Sequence, residues 1–225
     1  MKRLNTLLIL SFLILGSCTT TKPLTSTVKP DEVTDLKLLE PNSYIYKISK
    51  GNRSLLDDSL SITSNKLIIK VLENFKGQIP ITGKIILSDT SINTTLKKEF
   101  ESLILTADRS KNISNLKIAP TIDKVLEANR VRFGLLVVGT GFTRIKGNYG
   151  KQVAKGAALG ILTLGMYYQT PIKSYSTIYV MIVDSQEDNI SFFRKSYLQG
   201  KEPLDENVLT KQFTDIFKGY FLTTK

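Results

Sequence analysis

"VRFGLLVVGTGFTR", residues 131–144, contains the chain's clearest signal for a buried strand. Its unbroken apolar centre, Leu135-Leu136-Val137-Val138, is typical of a strand that is buried on both faces. Two further strands follow it, "STIYVMIVD" (176–184) and "NISFFRKSY" (189–197), and the polar residues "SQED" separate them. This spacing predicts an antiparallel hairpin late in the chain.

Helical and extended patterns alternate around these strands. Apolar residues recur at helical spacing over 59–75, from Leu96 to Ala107, from Pro120 to about Arg130, and from Leu209 to Tyr220. Residues 42–49 and 79–87 are predicted strands, although Pro80 and Gly83 weaken the second pattern. The sequence therefore predicts one mixed α/β domain: a mixed sheet with helices packed on it and an amphipathic C-terminal helix.

The order of these elements carries a resemblance. Residues 117–220 contain, in this order, a helix, "VRFGLLVVGTGFTR", a variable insertion, "STIYVMIVD", a short turn, "NISFF" and a terminal helix. This order resembles the periplasmic lipoprotein superfamily that contains the curli-secretion lipoprotein, the penicillin-binding-protein activators and the amino-terminal domain of TolB. The resemblance implies a mixed α/β domain whose relatives mostly assemble or regulate envelope machinery and do not catalyse reactions.

The N-terminus has the pattern of a secretory signal. Lys2 and Arg3 precede a short apolar stretch, Leu7 to Leu15. Leu15, Gly16, Ser17 and Cys18 then resemble a lipobox, the bacterial lipoprotein signal in which the cysteine becomes the acylated first residue. Cys18 is the only cysteine, so no disulfide can form within one chain. The alternative, an uncleaved membrane helix, is disfavoured because about 12 apolar residues fall short of the roughly 20 that a spanning helix needs.

The lipobox resemblance implies a division of the chain into three segments. Residues 1–17 form the signal peptide, 18–40 the acylated cysteine with a flexible tether, and 41–222 the globular domain. The tether prediction rests on "TTTKPLTSTVKP" (19–30), which is rich in Thr, Ser, Pro and Lys. Thr19 in place of Asp after the cysteine implies the outer membrane, with the domain facing the periplasm.

A glycine-rich apolar insertion spans residues 150–171, within which we expect a helix from about Gly156 to Tyr168. Such a helix is about 20 Å long, too short for a hydrocarbon core of about 30 Å. The candidate interface residues are Gly156, Gly160, Thr163 and Tyr167, and the first three fall on one helical face. Three placements stay open: against the domain's own sheet, against a partner subunit, or in the lipid interface.

The sequence has few of the residue types and motifs that catalysis and metal binding require. The sequence has no histidine, which excludes Ser-His-Asp and Cys-His catalysis and Cys/His zinc sites, so we expect no catalytic residue, metal or cofactor. "GTGFTRIKG" (139–147) lacks the spacing of a phosphate-binding loop. The adjacent carboxylates Asp57-Asp58 and Glu187-Asp188 are more typical of a turn or a helix start than of an active site.

The formal net charge is +11, and the basic residues are spread along the chain, as on an ordinary solvated surface. For an exported protein this charge favours lipid headgroups or an acidic partner over nucleic acid. The sequence thus predicts a non-enzymatic, lipid-anchored periplasmic protein that binds a protein partner or itself during envelope assembly. A subunit of an outer-membrane secretion channel is the alternative, and an enzyme acting on glycan comes third.

Overall fold

The structure, a computed structural model, describes residues 19–21, 25–87, 89–110, 112–163 and 171–223. The predicted signal peptide and the lipobox residues Leu15, Gly16, Ser17 and Cys18 lie outside the described residues, as does Tyr167. The described part of the chain forms a nine-stranded sheet and five α-helices.

The strands are β1 (Thr19–Thr21), β2 (Thr25–Ser26), β3 (Leu36–Leu38), β4 (Asn42–Ile48), β5 (Ser54–Leu56), β6 (Ile81–Lys84), β7 (Phe133–Arg144), β8 (Tyr175–Asp184) and β9 (Asn189–Gln199). The helices are α1 (Asp58–Glu73), α2 (Thr90–Arg109), α3 (Pro120–Ala128), α4 (Asn148–Leu162) and α5 (Glu206–Phe217). Short 3-10 turns occupy Pro30–Glu32 and Lys50–Asn52.

Strand β7 lies in the middle of the sheet. On one side it pairs antiparallel with β8, which forms the predicted hairpin with β9. On the other side it pairs parallel with β3 along its first residues and with β4 along its later residues. Beyond these lie β6, parallel to β3, and β5, antiparallel to β4, while β1 and β2 pair antiparallel with β9. The sheet is mixed, which confirms the predicted fold class.

The side chains of β7 alternate between two hydrophobic layers, because successive residues of a strand point to opposite faces. Leu135 and Val137 pack with apolar residues of α1 and α5, whereas Leu136 and Val138 pack with those of α2 and α3. All four β7 residues are at most 4% exposed. The helices therefore cover both faces of the sheet, as the unbroken apolar centre of this strand predicts.

The start of the domain differs from the sequence prediction. Residues 18–40 were expected to form a tether, but Val33 and Leu39 are buried and β3 pairs with both β6 and β7. The described residues before β3 include two strand segments on the edge of β9. A strand of three residues is too short to show a clear alternation of apolar and polar positions, which explains why the sequence pattern missed β3.

Most predicted elements match the structure within a few residues, but α4 does not. The helix begins at Asn148, eight residues before the predicted start at Gly156, and its predicted end at Tyr168 lies outside the described residues. Among the helices that the structure describes, none combines the length and the apolarity that crossing a membrane requires.

An ion pair fixes the end of the β8–β9 hairpin against the start of β7. Asp184 is fully buried, and its carboxylate accepts two parallel hydrogen bonds from Arg132, from Nε to Oδ1 at 3.0 Å and from Nη2 to Oδ2 at 2.8 Å. Asp184 Oδ1 also accepts the backbone N–H of Gln186 at 3.0 Å, which holds the turn. The guanidinium of Arg132 lies 4.6 Å from the centre of the Phe133 ring.

Replacing Asp184 with Asn removes the charge that balances Arg132, so we expect the free energy of unfolding to fall by about 2 kcal/mol. Urea denaturation measures this change. The control is Asp188→Asn, which breaks an exposed pair with Lys117 at 2.8 Å in the same turn and should cost less than about 1 kcal/mol. Equal losses in the two variants would contradict a structural role for the buried pair.

Candidate interaction surface

Helix α4 is the least buried helix of the domain. Of its residues whose exposure is described, only Asn148 and Gly156 are buried. The described residues of α4 contribute nothing to either hydrophobic core cluster. A helix that stays outside the core, and whose second half after Lys155 is uncharged and largely apolar, is a candidate surface for contact with another molecule. Among the described residues of the insertion, α4 is buried against its own domain at Gly156 but adds nothing to the core, so contact with a partner or with lipid stays a prediction.

Two polar residues hold the start of α4 against the sheet. Asn148 Nδ2 donates to the carbonyl oxygen of Ser49 at 2.9 Å, and Asn148 Oδ1 accepts from Arg144 Nη1 at 2.7 Å. Arg144 is the last residue of β7, and its Nε donates to the carbonyl oxygen of Ile172 at 3.0 Å. The helix is thus fixed at its first turn, next to the carboxyl ends of β4 and β7.

The far end of α4 exposes large apolar side chains, which we call the apolar ridge: Leu159, Ile161 and Leu162. They are 44%, 78% and 79% exposed, and Ile172 nearby in the sequence is 39% exposed. Isolated exposed apolar residues are ordinary, but several within one helical turn indicate a surface that another molecule or a membrane covers.

The predicted interface residues lie in different environments. Gly156 is buried and lines a cleft beneath the helix, so it serves the contact between α4 and its own domain. Gly160 lies within the helix, one turn further along. Thr163 is the C-cap residue, and its hydroxyl donates to the carbonyl oxygen of Leu159 at 2.8 Å. The side chains that are most exposed on α4, Ile161 and Leu162, were not among the predicted interface residues.

Basic residues surround the exposed helix, and we call the following set the basic rim: Lys50, Lys146, Lys151 and Lys155. They lie along a shallow groove at the start of α4. Within the described part of the chain, no carboxylate lies within 4.0 Å of their amino groups. A basic surface without acidic partners attracts anions.

The sequence indicates most of this basic rim, because basic residues surround the glycine-rich insertion and favour contact with anionic lipid. From Ala128 to Val183 the chain has no Asp or Glu, yet this stretch includes Arg130, Arg132, Arg144, Lys146, Lys151, Lys155 and Lys173. Lys50 joins the rim from a distant position in the sequence, through the loop after β4. The position of Lys50 beside α4 is visible only in the fold.

The cleft beneath α4 has a volume of about 460 Å³. Its floor comes from the ends of β4 and β7, through Ile48, Phe142 and Arg144, and its wall comes from Gln152, Lys155, Gly156 and Leu159 of the helix. Burial lowers the pKa of the Arg144 guanidinium, which still carries its charge at neutral pH. The cleft therefore combines an apolar floor with positive charge.

Strand register places the beginning of the described chain at the same end of the sheet as α4. Thr19 pairs with Leu198, Leu198 with Ser176, and Ser176 with Gly141, so these residues form a row across the sheet, three residues before the end of β7 at Arg144. Acidic residues also occur at this end, in the segment after β9. There Asp205 caps the N-terminus of α5 and Glu206 pairs with Lys70 at 2.6 Å.

The carboxylates that the sequence singled out have structural roles. Asp57 is the N-cap residue of α1 and accepts the backbone N–H of Leu60, and Asp58 lies in the first turn of that helix. Glu187 and Asp188 lie in the turn between β8 and β9. The prediction of a helix start and a turn at these positions is confirmed. In the described residues no group of three or more acidic side chains is arranged to hold a metal ion.

A second polar cluster lies on the side of the sheet that α2 covers. Glu101 accepts hydrogen bonds from Tyr44 Oη and from Asn42 Nδ2, the latter at 3.1 Å. Burial raises the pKa of the Glu101 carboxyl, and the hydrogen bond from Asn42 opposes this shift. A single carboxylate of α2 that accepts hydrogen bonds from two side chains of β4 is most simply a link between the helix and the strand.

Distant structural likenesses include the following two. PelC from Paraburkholderia phytofirmans, a dodecamer, is 7% identical, with 88% of this chain and 94% of that chain covered and a TM-score of 0.39. A single-substitution variant of the same PelC dodecamer is 6% identical over 89% of this chain and 95% of that chain, with a TM-score of 0.40. No family profile matches the sequence, and no curated protein does. TM-scores this low carry no argument about function or assembly.

The raised pKa of Glu101 predicts a pH-dependent effect of Glu101→Gln. At neutral pH the wild-type carboxylate is ionised and its burial destabilises the fold, whereas the glutamine amide carries no charge. The variant should therefore melt at a higher temperature than the wild type at pH 7, and the difference should vanish as the pH falls through the pKa of Glu101. Glu127→Gln, the same change on an exposed side chain, should leave the melting temperature unchanged. A lower melting temperature for Glu101→Gln at pH 7 would show that the hydrogen bonds to the charged form dominate.

Proposed function

We propose that this protein is a lipid-anchored component of the bacterial envelope that acts by binding and not by catalysis. In this proposal the acyl chains on Cys18 hold it at the periplasmic face of the outer membrane. The α4 end of the domain then lies against the lipid surface. One observation carries the proposal: Thr19, which follows Cys18 directly, lies at the same end of the sheet as the apolar ridge and the basic rim.

In this proposal the lipid on Cys18 orients the domain. A lipid on Cys18 brings the adjacent end of the sheet to the membrane, because consecutive Cα atoms are only about 3.8 Å apart. The ends of β4 and β7 lie at that end, and α4 follows β7 after a short turn. The domain thus faces the bilayer with its apolar ridge and basic rim, and the face covered by α1 and α5 stays available to solvent.

The chemistry of the α4 end suits an anionic lipid surface. Each apolar side chain of the ridge that leaves water contributes about 1.5–3 kcal/mol when fully buried. Each basic group near an anionic surface contributes about 1 kcal/mol. These are the two kinds of interaction that hold interfacial helices, which lie in the plane of the bilayer surface. The alternative is that a protein partner or a second copy of the chain covers the ridge. In that case the ridge is a protein–protein contact in envelope assembly.

The anchor is tested by expressing the full chain with Cys18→Ala. We expect the wild-type mature protein to carry acyl chains on Cys18 and to remain with membranes in high salt, whereas the variant loses both properties, as intact-protein mass spectrometry and membrane fractionation will show. A wild-type chain that retains its leader, or that is cut elsewhere and is unmodified, would contradict lipid anchoring. A matched Ser17→Ala chain should still be acylated, because it keeps the cysteine.

The docking surface is tested with the mature Cys18→Ala chain, which has no acyl chain to mask weaker contacts. Ile161→Ser combined with Leu162→Ser should weaken binding to anionic phospholipid vesicles by about tenfold or more, since both side chains would leave the lipid interface. The control combines Ile62→Ser and Ile86→Ser, which are 55% and 88% exposed elsewhere on the domain.

Vesicle co-sedimentation and native mass spectrometry should be measured together on these variants. Equal vesicle binding by the ridge variant and the control would contradict docking on lipid. If the ridge variant loses an oligomer and keeps its vesicle binding, a second copy of the chain is the occupant of the ridge and the lipid assignment is wrong.

A further inference from the structure

The cleft beneath α4 has features of a binding site that go beyond general attraction to a charged surface. It is a concave space of about 460 Å³ that α4 and the ends of β4 and β7 line, together with Pro171 and Ile172 from the segment before β8. Small-molecule sites are usually concave and largely apolar, with a few polar groups in fixed positions. Here the fixed polar group is the guanidinium of Arg144.

Three neutral acceptors hold Arg144 in place. Its Nε donates to the carbonyl oxygen of Ile172 at 3.0 Å, and its Nη1 donates at 2.7 Å to the side-chain oxygens of both Asn52 and Asn148. The guanidinium carbon lies 5.4 Å from the centre of the Phe142 ring. Among the described residues, Nη2 has no hydrogen-bond partner. The side chain is thus oriented by its own domain and keeps one nitrogen for a ligand.

The charge in the cleft is not balanced. Within the described chain, Arg144 and Lys155 have no carboxylate within 4.0 Å. Arg144 is part-buried and Lys155 is exposed, so both positive charges are accessible to an anion that enters the cleft. Guanidinium groups bind phosphate through parallel hydrogen bonds, and a lysine adds a mobile positive charge.

The rest of the lining indicates what the anion is attached to. Ile48 and Leu159 offer apolar surface to the same space, and Gln152 offers an amide. Leu159 also belongs to the apolar ridge, so the cleft is continuous with the surface that faces the membrane in the proposed function. A phosphate attached to an apolar chain fits this arrangement better than a free ion, which would gain nothing from the apolar lining.

We propose that the cleft between α4 and the ends of β4 and β7 binds the phosphate of a lipid headgroup, with Arg144 and Lys155 as its ligands. This inference rests on the proposed function, because it takes the α4 end to face the bilayer. It adds to that function a specific headgroup site. The site should bind lipids with an exposed phosphate more tightly than lipids of equal charge that have no exposed phosphate.

The test measures binding of two soluble probes to the mature Cys18→Ala chain by isothermal titration calorimetry: a short-chain phosphatidate below its micelle concentration, and inorganic phosphate. We expect the phosphatidate to bind more tightly than inorganic phosphate. Lys155→Ala and Arg144→Lys should each weaken phosphatidate binding by about tenfold, the second because an ammonium cannot replace the planar fork of the guanidinium. The control is Lys66→Ala, which removes the same charge from an exposed position on α1 and should leave binding unchanged.

The outcomes separate this inference from the proposed function. Equal weakening by Lys66→Ala and Lys155→Ala, or no detectable binding of phosphatidate, overturns the headgroup site even if vesicle docking persists. Equally tight binding of both probes also overturns it, in favour of a site for free phosphate. If phosphatidate binds as expected while substitution of the ridge leaves vesicle docking unchanged, the headgroup site stands and the proposed docking through the ridge fails. Thermal unfolding of Arg144→Lys, compared with the wild type, shows that any loss of binding comes from a folded protein.

Discussion

Burial of strand β7 on both faces is the constraint from which the rest of the fold follows. Leu135 and Val137 require an apolar layer on one face, and Leu136 and Val138 require another on the opposite face. Helices α1 and α5 form the first layer, and α2 and α3 form the second. Because these four helices satisfy both faces along the apolar part of the strand, the carboxyl end of β7 is left free to present Phe142 and Arg144 to α4.

Much of this architecture could be predicted from local patterns. The central strand, the late hairpin and four of the five helices have regular apolar spacing over eight or more residues, which is long enough for a period to be recognised. Strand β3 is three residues long, and its position beside β7 depends on pairing with residues almost a hundred positions later. Strand β1 consists of three threonines, whose role on the edge of β9 has no signal in hydrophobicity.

The candidate surface could be predicted only in part. An uncharged, glycine-rich stretch indicated that α4 is unusual. The exposure of α4, however, depends on the other helices, which cover both faces of the sheet. In the sequence, Arg144 is one of several basic residues around the insertion that favour contact with anionic lipid. Its significance comes from Asn52 in the 3-10 turn after β4 and Asn148 at the start of α4, which orient it, and from carboxylates that the described fold places elsewhere.

The pairing of β1 with β9 changes what an anchored domain can reach. A flexible tether of some twenty residues would let the domain explore several tens of ångströms of the periplasm, whereas a strand that begins at Thr19 leaves a single peptide unit between Cys18 and the folded body. A lipid on that cysteine therefore restricts the molecule to the first layer above the headgroups. In the proposed arrangement, a partner that lies farther from this membrane therefore has to come to the anchored domain.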